Sequence, residues 1–330
     1  MKLQTNIPLQ SAPNLFGYEN TLLLLGSCFA EHIGEKLAYH KFQTTVNPYG
    51  ILFHPLAIER VLQDAYNDDS HGEETIFELE GVWKSFIAHS RLNSRSKGAM
   101  IDTMNEAQRQ LRKALQEASH IFITLGTAWV YQHKETGVAV ANCHKVPQKQ
   151  FVKGLLPIQE IVASLTRQCT VIKDLNPEAH ITFTVSPVRH LKDGFVENTR
   201  SKAHLISAVH EVCETQGAHY FPAYELMMDE LRDYRFYATD MLHPSQQAID
   251  YIWEKFLEVY AGVYAEGLTE PVEVPNRSTK TKTTLKEVHA IQQGLMHRPF
   301  NPKSKEHATF LGKLKKRITK LQQEYPHISF

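Results

Sequence analysis

Two short segments, far apart in the chain, carry residue types that do covalent chemistry. Gly26 and Ser27 end an apolar run, and a segment with helical character follows at 28–39. Asp240 and His243 are three residues apart in the second segment, in front of another helical pattern. A serine on a strand-to-helix turn, with an imidazole base that a carboxylate orients, is what nucleophilic acyl transfer requires. The pair predicts a hydrolytic or acyl-transfer site.

Each segment also has a purely structural interpretation. Ser27 is a favoured type of residue for the N-cap of a helix, and Asp240 has a spacing that suits a capping acid. Cys28, beside Ser27, is an alternative thiol nucleophile, although small free cysteines are usually buried filler. The presence of both segments in one chain favours the catalytic interpretation, with Ser27 as nucleophile, His243 as base and Asp240 as the group that orients it.

The composition describes an acidic body and a basic tail. Net charge is zero, but residues 276–330 contain 12 Lys or Arg against 3 Asp or Glu, whereas residues 1–275 contain 24 against 33. Four cysteines show no paired spacing, which argues against a disulfide framework. No secretory signal pattern and no run of membrane-spanning length are present, so we expect a cytoplasmic protein without a membrane span.

Alternating strand and helix patterns predict an α/β fold with a doubly wound, mainly parallel sheet. Short apolar runs indicate buried strands at 21–26, 120–125, 181–185 and 218–221. Apolar stripes at helical spacing indicate helices at 28–39, 105–118, 157–170, 199–214 and 246–261. Residues 128–142 interrupt this alternation and predict a hairpin that turns at 135–137. The segment 47–104 is the least readable, with short strands expected near 75–78 and 84–88.

We expect two parts: an α/β domain over 1–264, and a linker with a basic helical appendix over 265–330. The appendix contains helical segments at 284–296 and 305–323, and the second has an apolar stripe of Leu311, Leu314, Ile318 and Leu321. Such a helix either binds a membrane surface, nucleic acid or an acidic partner, or docks on the acidic body. We expect docking, and no nucleic-acid partner.

The chain resembles the GSCFA-domain proteins of bacteria, a branch related to the SGNH/GDSL hydrolases. The segments that carry the resemblance are GSCFA at 26–30, NPYG at 47–50, NCHKVP at 142–147, SPVRHLKDG at 186–194 and LRDYRFYATDMLHPS at 231–245. The resemblance spans roughly 21–260 and implies a flavodoxin-like sheet with a serine-esterase type of site. By position it implies Ser27 as nucleophile, Asp240 and His243 as its partners, and Gly50 as the glycine whose N–H joins the oxyanion site.

One position departs from the pattern of that larger group. SGNH hydrolases usually carry Gly-x-Asn after the third strand, and this chain has Gly126-Thr127-Ala128, which offers no side-chain amide. Losing one oxyanion donor typically costs about a hundredfold or more in rate. We therefore expect another donor to substitute, and Asn142 and His144, just past the hairpin, are the candidates.

Arg189 and His190 follow the strand at 181–185, where they would either bind an anionic part of a substrate or lie in a solvated basic loop. No metal-ligand spacing and no nucleotide-binding glycine loop occurs, so we expect no metal and no cofactor. The sequence thus predicts a serine esterase or acyltransferase that acts on a small-molecule or carbohydrate ester. The alternative is a non-catalytic binding module on the same fold.

Overall fold

The computed structural model of the chain describes residues 5–263, 276–301 and 303–330. The strands in these ranges are β1 Thr21–Gly26, β2 Gln43–Val46, β3 Phe77–Leu79, β4 Val82–Lys84, β5 His120–Leu125, β6 Trp129–His133, β7 Ala139–Val140, β8 Phe151–Leu155, β9 His180–Val185 and β10 His219–Phe221. The α-helices are α1 Cys28–Tyr39, α2 Pro55–Asn67, α3 Lys97–Glu117, α4 Ile158–Leu175, α5 Phe195–Gln216, the single turn α6 Ala223–Glu225, α7 Gln246–Ala261, α8 Asn276–Met296 and α9 Lys305–Glu324.

Five parallel strands form the central sheet in the order β2-β1-β5-β9-β10. Counted within this sheet the order is 2-1-3-4-5, which is the flavodoxin-like arrangement that the sequence predicts. The direction of winding reverses between β1 and β5. In open α/β sheets the crevice at the carboxyl edge of this switch point is where ligands bind.

The two faces of the sheet bury separate apolar clusters. Leu23 and Leu25 of β1 face α2, α3, α4 and α5 in one cluster, whereas Leu22 and Leu24 face α1 and α7 in the other. Successive side chains of a strand point to opposite faces, so a strand that is covered on both sides becomes a continuous apolar run. This explains why β1 and β5 have the boundaries that the sequence predicts.

A smaller antiparallel sheet lies beside the carboxyl edge of the central one. Its order is β7-β6-β8, and the β6–β7 hairpin turns through Gly137 with φ of +66°. This confirms the predicted hairpin and adds a third strand, β8, that the sequence analysis did not indicate. A further hairpin, β3–β4, turns at Glu80 and Gly81, both with positive φ, as two-residue hairpin turns require.

Helices α8 and α9 pack on the body of the protein. Leu314 and Leu321 of α9 are buried in the same cluster as Leu22 and Leu24 of β1. Leu311, which the pattern also placed on the buried stripe, is instead 45% exposed. The expected docking of the appendix is confirmed for these contacts, whereas the expected boundary at 264–265 lies outside the described residues. Among the described helices, none has the length and apolar character that crossing a membrane requires.

Candidate active site at the switch point

The turn that follows β1 requires glycine at position 26. Gly26 has φ of +123°, and a Cβ atom at this position would lie 2.0 Å from the carbonyl oxygen of Thr124 on β5. Its N–H donates to Oδ1 of Asn47 at 2.7 Å, which fixes the turn from the side of β2 as well. The backbone of β1 therefore approaches β5 closely just before α1 begins, and this fixes where the next two side chains lie.

Ser27 is fully buried and serves as the N-cap of α1. Its Oγ accepts a hydrogen bond from the N–H of Phe29 at 3.3 Å, and its own N–H donates to the carbonyl of Thr124 at 3.0 Å. Ser27 thus makes the contacts of a helix N-cap, which is the structural interpretation given for it above. Both the hydroxyl and the N–H that acyl transfer would need are engaged in forming the turn.

Cys28 is the first residue of α1 and is partly exposed. Burial raises the pKa of its thiol. The charge of Lys202 and the backbone N–H groups of Cys28 and Phe29 lower this pKa and oppose the effect of burial. Helix N-termini and neighbouring cations are the surroundings that stabilise a thiolate. Because burial is the largest influence, ionisation of Cys28 calls for a base.

Asp240 and His243 form the acid–imidazole pair that their spacing suggested. Oδ2 of Asp240 lies 2.6 Å from Nδ1 of His243, while Oδ1 accepts from the N–H groups of Leu242 and His243 at 2.9 and 3.0 Å. These bonds, those from the backbone first, lower the pKa of Asp240 to about 2. Nε2 of His243 has no hydrogen-bond partner among the described residues. The pair is about half exposed and leaves that nitrogen available as a base.

Contacts with the segment after β9 hold this pair at the carboxyl edge of the sheet. The N–H of Arg189 donates to the carbonyl of Leu242 at 3.1 Å. The guanidinium of Arg189 lies 4.1 Å from the ring centre of Tyr237, which precedes the pair. Arg189 therefore packs on this loop through a cation–π contact and fixes it through its backbone N–H.

Two of the three expected oxyanion donors, those of Gly50 and His144, form local bonds. The N–H of Gly50 donates to the carbonyl of Asn47 at 2.8 Å, within the turn after β2. Oδ1 of Asn142 accepts from the N–H of His144 at 2.8 Å. Nε2 of the buried His144 donates to the carbonyl oxygen of Ser85 at 2.6 Å, and burial lowers the pKa of this imidazole. These bonds give Gly50 and His144 structural contacts, whereas Asn142 caps its own turn with its amide oxygen and donates through Nδ2 to no described residue.

Lys202 of α5 lies beneath the switch point, and the sequence analysis did not identify it as a site residue. Its side chain is buried, and Nζ donates to the carbonyl oxygens of Gly126 and Ser186, at 2.7 Å each. It forms no ion pair with a carboxylate in the described ranges. Burial lowers its pKa to about 7, and a charge on Cys28 would raise it. One signal was present: Lys202 falls on the helical stripe of Leu205 and Val209, the buried face of α5.

His190 belongs to the same group of side chains. Its ring packs edge-on against Phe53 at 5.5 Å between centres, and burial together with the charges of Lys202 and His243 lowers its pKa to about 3. It also lines a cavity of about 400 Å³ between the carboxyl edge and the small sheet. Trp129, Tyr131 and Asn142 form other parts of that wall. Cys28 and His243 do not line the cavity.

The fold and these side chains define an α/β protein with a flavodoxin-like sheet and an acid–imidazole pair at its carboxyl edge. The chain belongs to the GSCFA family, whose model matches residues 21–256. A second model, described as the C-terminal domain of GSCFA domain proteins, matches residues 288–330. The family resemblance inferred from the motifs is confirmed.

Two solved structures are distantly similar. An acetyl xylan esterase (Est2A) from the rumen bacterium Butyrivibrio proteoclasticus is 12% identical, with 77% of this chain and 65% of that chain covered and a TM-score of 0.38. Another crystal structure is 13% identical, with 75% of this chain and 99% of that chain covered and a TM-score of 0.37. No curated protein matches the chain by sequence.

Proposed function

We propose that this protein is a hydrolase or acyltransferase that acts on a carboxyl ester through a covalent acyl-enzyme. The observation that carries the proposal is the Asp240–His243 pair, whose 2.6 Å bond leaves Nε2 of His243 without a partner among the described residues. A carboxylate on Nδ1 fixes the tautomer that makes Nε2 a base, and it stabilises the imidazolium that forms. The substrate is a small-molecule or carbohydrate ester.

The nucleophile of this proposal is Cys28 in place of Ser27. The thiol is partly exposed at the N-terminus of α1, whereas the hydroxyl of Ser27 is buried in its capping bond. Lys202 lowers the pKa of Cys28, and both Lys202 and His243 lower the pKa of His190. These influences support a site in which the thiol and the base lie at the same edge of the sheet.

The reaction proceeds in two balanced steps. His243 Nε2 takes the thiol proton as sulfur bonds to the ester carbonyl carbon, and the resulting imidazolium returns the proton to the departing alkoxide as the C–O bond breaks. Water or an acceptor alcohol then attacks the thioester with His243 again as base. The proton goes back to the sulfur of Cys28 as the acyl group leaves.

Labelling and turnover test the nucleophile. The wild-type protein should hydrolyse p-nitrophenyl acetate and take up one iodoacetamide on the peptide that carries Cys28. Cys28→Ala should abolish both, while Cys213→Ala, a half-buried control on α5, should leave both unchanged. Ser27→Ala removes only the cap, so it should lower stability by about 1 kcal/mol and keep the labelling. Fluorophosphonate labelling that survives Cys28→Ala and is lost in Ser27→Ala would return the chemistry to the serine.

Two further variants test the base. His243→Ala should slow turnover by about a thousandfold or more, and Asp240→Asn by a smaller factor, because the imidazole keeps Nε2 but loses its orienting partner. Both should slow alkylation of Cys28 near neutral pH, where the thiol is protonated. Equal turnover in the wild type and in His243→Ala would contradict the role of the pair.

The second candidate function is a non-catalytic binding module. The engaged N–H groups of Ser27 and Gly50 favour it, since both expected backbone donors are bonded to carbonyls. In that case the cavity beside His190 would bind a ligand without turnover. Absence of both ester turnover and Cys28 labelling in the intact protein would support this function over the enzyme.

A further inference from the structure

His190 has a buried ring nitrogen without a partner. Nε2 of His190 is inaccessible to solvent and makes no hydrogen bond to any described residue. Buried polar atoms in folded proteins are nearly always paired, so an orphaned one calls for a reason. A group that a substrate brings would supply the missing partner.

The position of this nitrogen is fixed by three contacts. It lies 3.2 Å from where a Cβ atom would be on Gly126, the residue directly after β5. The ring packs edge-on against Phe53, and the N–H of His190 donates to Oδ1 of Asn198 at 2.9 Å. Nε2 is therefore held at the carboxyl end of β5, beside the Gly126-Thr127-Ala128 segment that offers no side-chain amide. A Cβ atom at 126 would also lie 3.2 Å from the carbonyl oxygen of Phe53, so glycine allows the backbone to lie close to this nitrogen.

The imidazole is neutral throughout the working range of pH. Burial is the main cause of its low pKa, and electrostatic interaction with Lys202 from α5 and with His243 from the loop before α7 lowers it further. A neutral imidazole has one N–H group. It can donate a hydrogen bond to an anion and stay neutral.

We propose that His190 donates its Nε2–H to the carbonyl oxygen of the substrate ester and to the oxyanion that forms there. This inference rests on the proposed function and supplies the donor that the segment after β5 lacks. A preorganised donor in a water-excluded site stabilises the charge where it develops, and removing one typically costs about 10²- to 10³-fold in kcat. The cavity that His190 lines is then the place where the rest of the substrate lies.

Turnover of p-nitrophenyl acetate by three variants tests the role of His190. His190→Ala should lower kcat by about 10²- to 10³-fold with little change in KM. His190→Gln, whose amide N–H can take the place of Nε2–H, should recover at least about tenfold over alanine. His180→Gln is the matched control, because it makes the same change at the opposite end of β9 and should leave kcat unchanged.

Alkylation separates this role from a merely structural one. Iodoacetamide reacts with sulfur by displacement of iodide and forms no oxyanion, so His190→Ala should alkylate Cys28 at the wild-type rate. A parallel loss of alkylation and turnover would show that His190 acts by holding the thiol, and would overturn the proposal. Wild-type kcat in His190→Ala would overturn it too while leaving the proposed function standing, whereas an inactive wild type would remove both.

The protonation state is read independently of activity. In a protein labelled with ¹⁵N-histidine, the resonances lost in His190→Gln should show a neutral ring protonated at Nε2, constant from about pH 5 to pH 9. A ring that titrates in that range, or one protonated at Nδ1 alone, would refute the inference.

Discussion

Replacing Lys202 by methionine should change how the stability of the protein depends on pH. The pKa of Lys202 is lowered from 10.5 to about 7 by burial. Between these two values the unfolded chain binds a proton that the folded chain does not, so the free energy of unfolding rises with pH. At about 1.4 kcal/mol per pKa unit, the full penalty for burying this cation is about 5 kcal/mol at low pH, and it disappears above the pKa of the unfolded chain.

The methionine variant has no titrating group at position 202, so its stability lacks this pH-dependent contribution. The contributions of the other titrating groups cancel when the stabilities of the two proteins are subtracted. The free energy of unfolding of the wild type minus that of Lys202→Met should therefore rise by about 3 kcal/mol between about pH 6.5 and pH 9.5. Methionine also leaves the carbonyls of Gly126 and Ser186 without this donor, but that cost is the same at both values of pH. The slope is thus diagnostic, whereas the absolute difference is not.

Urea unfolding followed by circular dichroism at the two values of pH measures this difference. The exposed Lys149→Met is the control for loss of a lysine and should show no change with pH relative to the wild type. A wild-type minus Lys202→Met difference that is constant with pH would refute the reasoning. It would mean that Lys202 keeps its charge across this range, held by its two carbonyls.

Two pairs of variants test the turn and the appendix by the same unfolding measurement. Gly26→Ala should lower the free energy of unfolding by about 3 kcal/mol or more, because of the positive φ and the clash with Thr124. Gly137 also has a positive φ but has open space around it, so Gly137→Ala should lower this free energy by only about 1 kcal/mol. Equal losses in the two variants would mean that the close approach of Gly26 to Thr124 is absent. Leu321→Ala should cost about 2–5 kcal/mol and the exposed Leu311→Ala less than about 0.5 kcal/mol, and equal small losses would contradict the docking of α9.

The sequence predicts best those elements that are buried on both faces or capped. The limits of β1, β5, α1 and α7 agree with the expected ones, because continuous apolar runs and the caps Ser27 and Ser245 mark their ends. The edge strand β2 was missed, since its residues are only partly buried and polar threonines occupy two of its four positions. Strand β8 was missed for a similar reason, because two of its side chains are exposed.

Helix α2 shows a different kind of failure. Its buried Ile58, Val61, Leu62 and Ala65 have helical spacing, and Pro55 stands at its first position, so the signal was present. The sequence analysis nevertheless assigns no helix within 47–104. His54 caps this helix by accepting from the N–H of Ala57, a role that its type alone does not suggest.

The acid–imidazole pair of the candidate site could be predicted from its spacing, whereas the burial of Ser27 could not. Asp240 and His243 form a local pair across three residues, so the sequence contains all that their bond needs. Whether Ser27 or Cys28 is the more exposed residue depends instead on where the backbone turns. The turn lies at Gly26, where Thr124, about a hundred residues later in the chain, leaves no room for a side chain. A shift of the turn by one residue would exchange the capping residue with the partly exposed one.

Lys202 and His190 depend on still more of the fold. The charge state of each follows from burial by elements that are distant in sequence, and no spacing rule encodes that burial. Their joint effect is chemical: a buried cation below the thiol and a neutral imidazole with an unpaired nitrogen both favour a negative charge at the end of β5. The sequence is sufficient to propose His243 as the base, whereas the proposed oxyanion position can be recognised only once β1, β5 and β9 lie side by side.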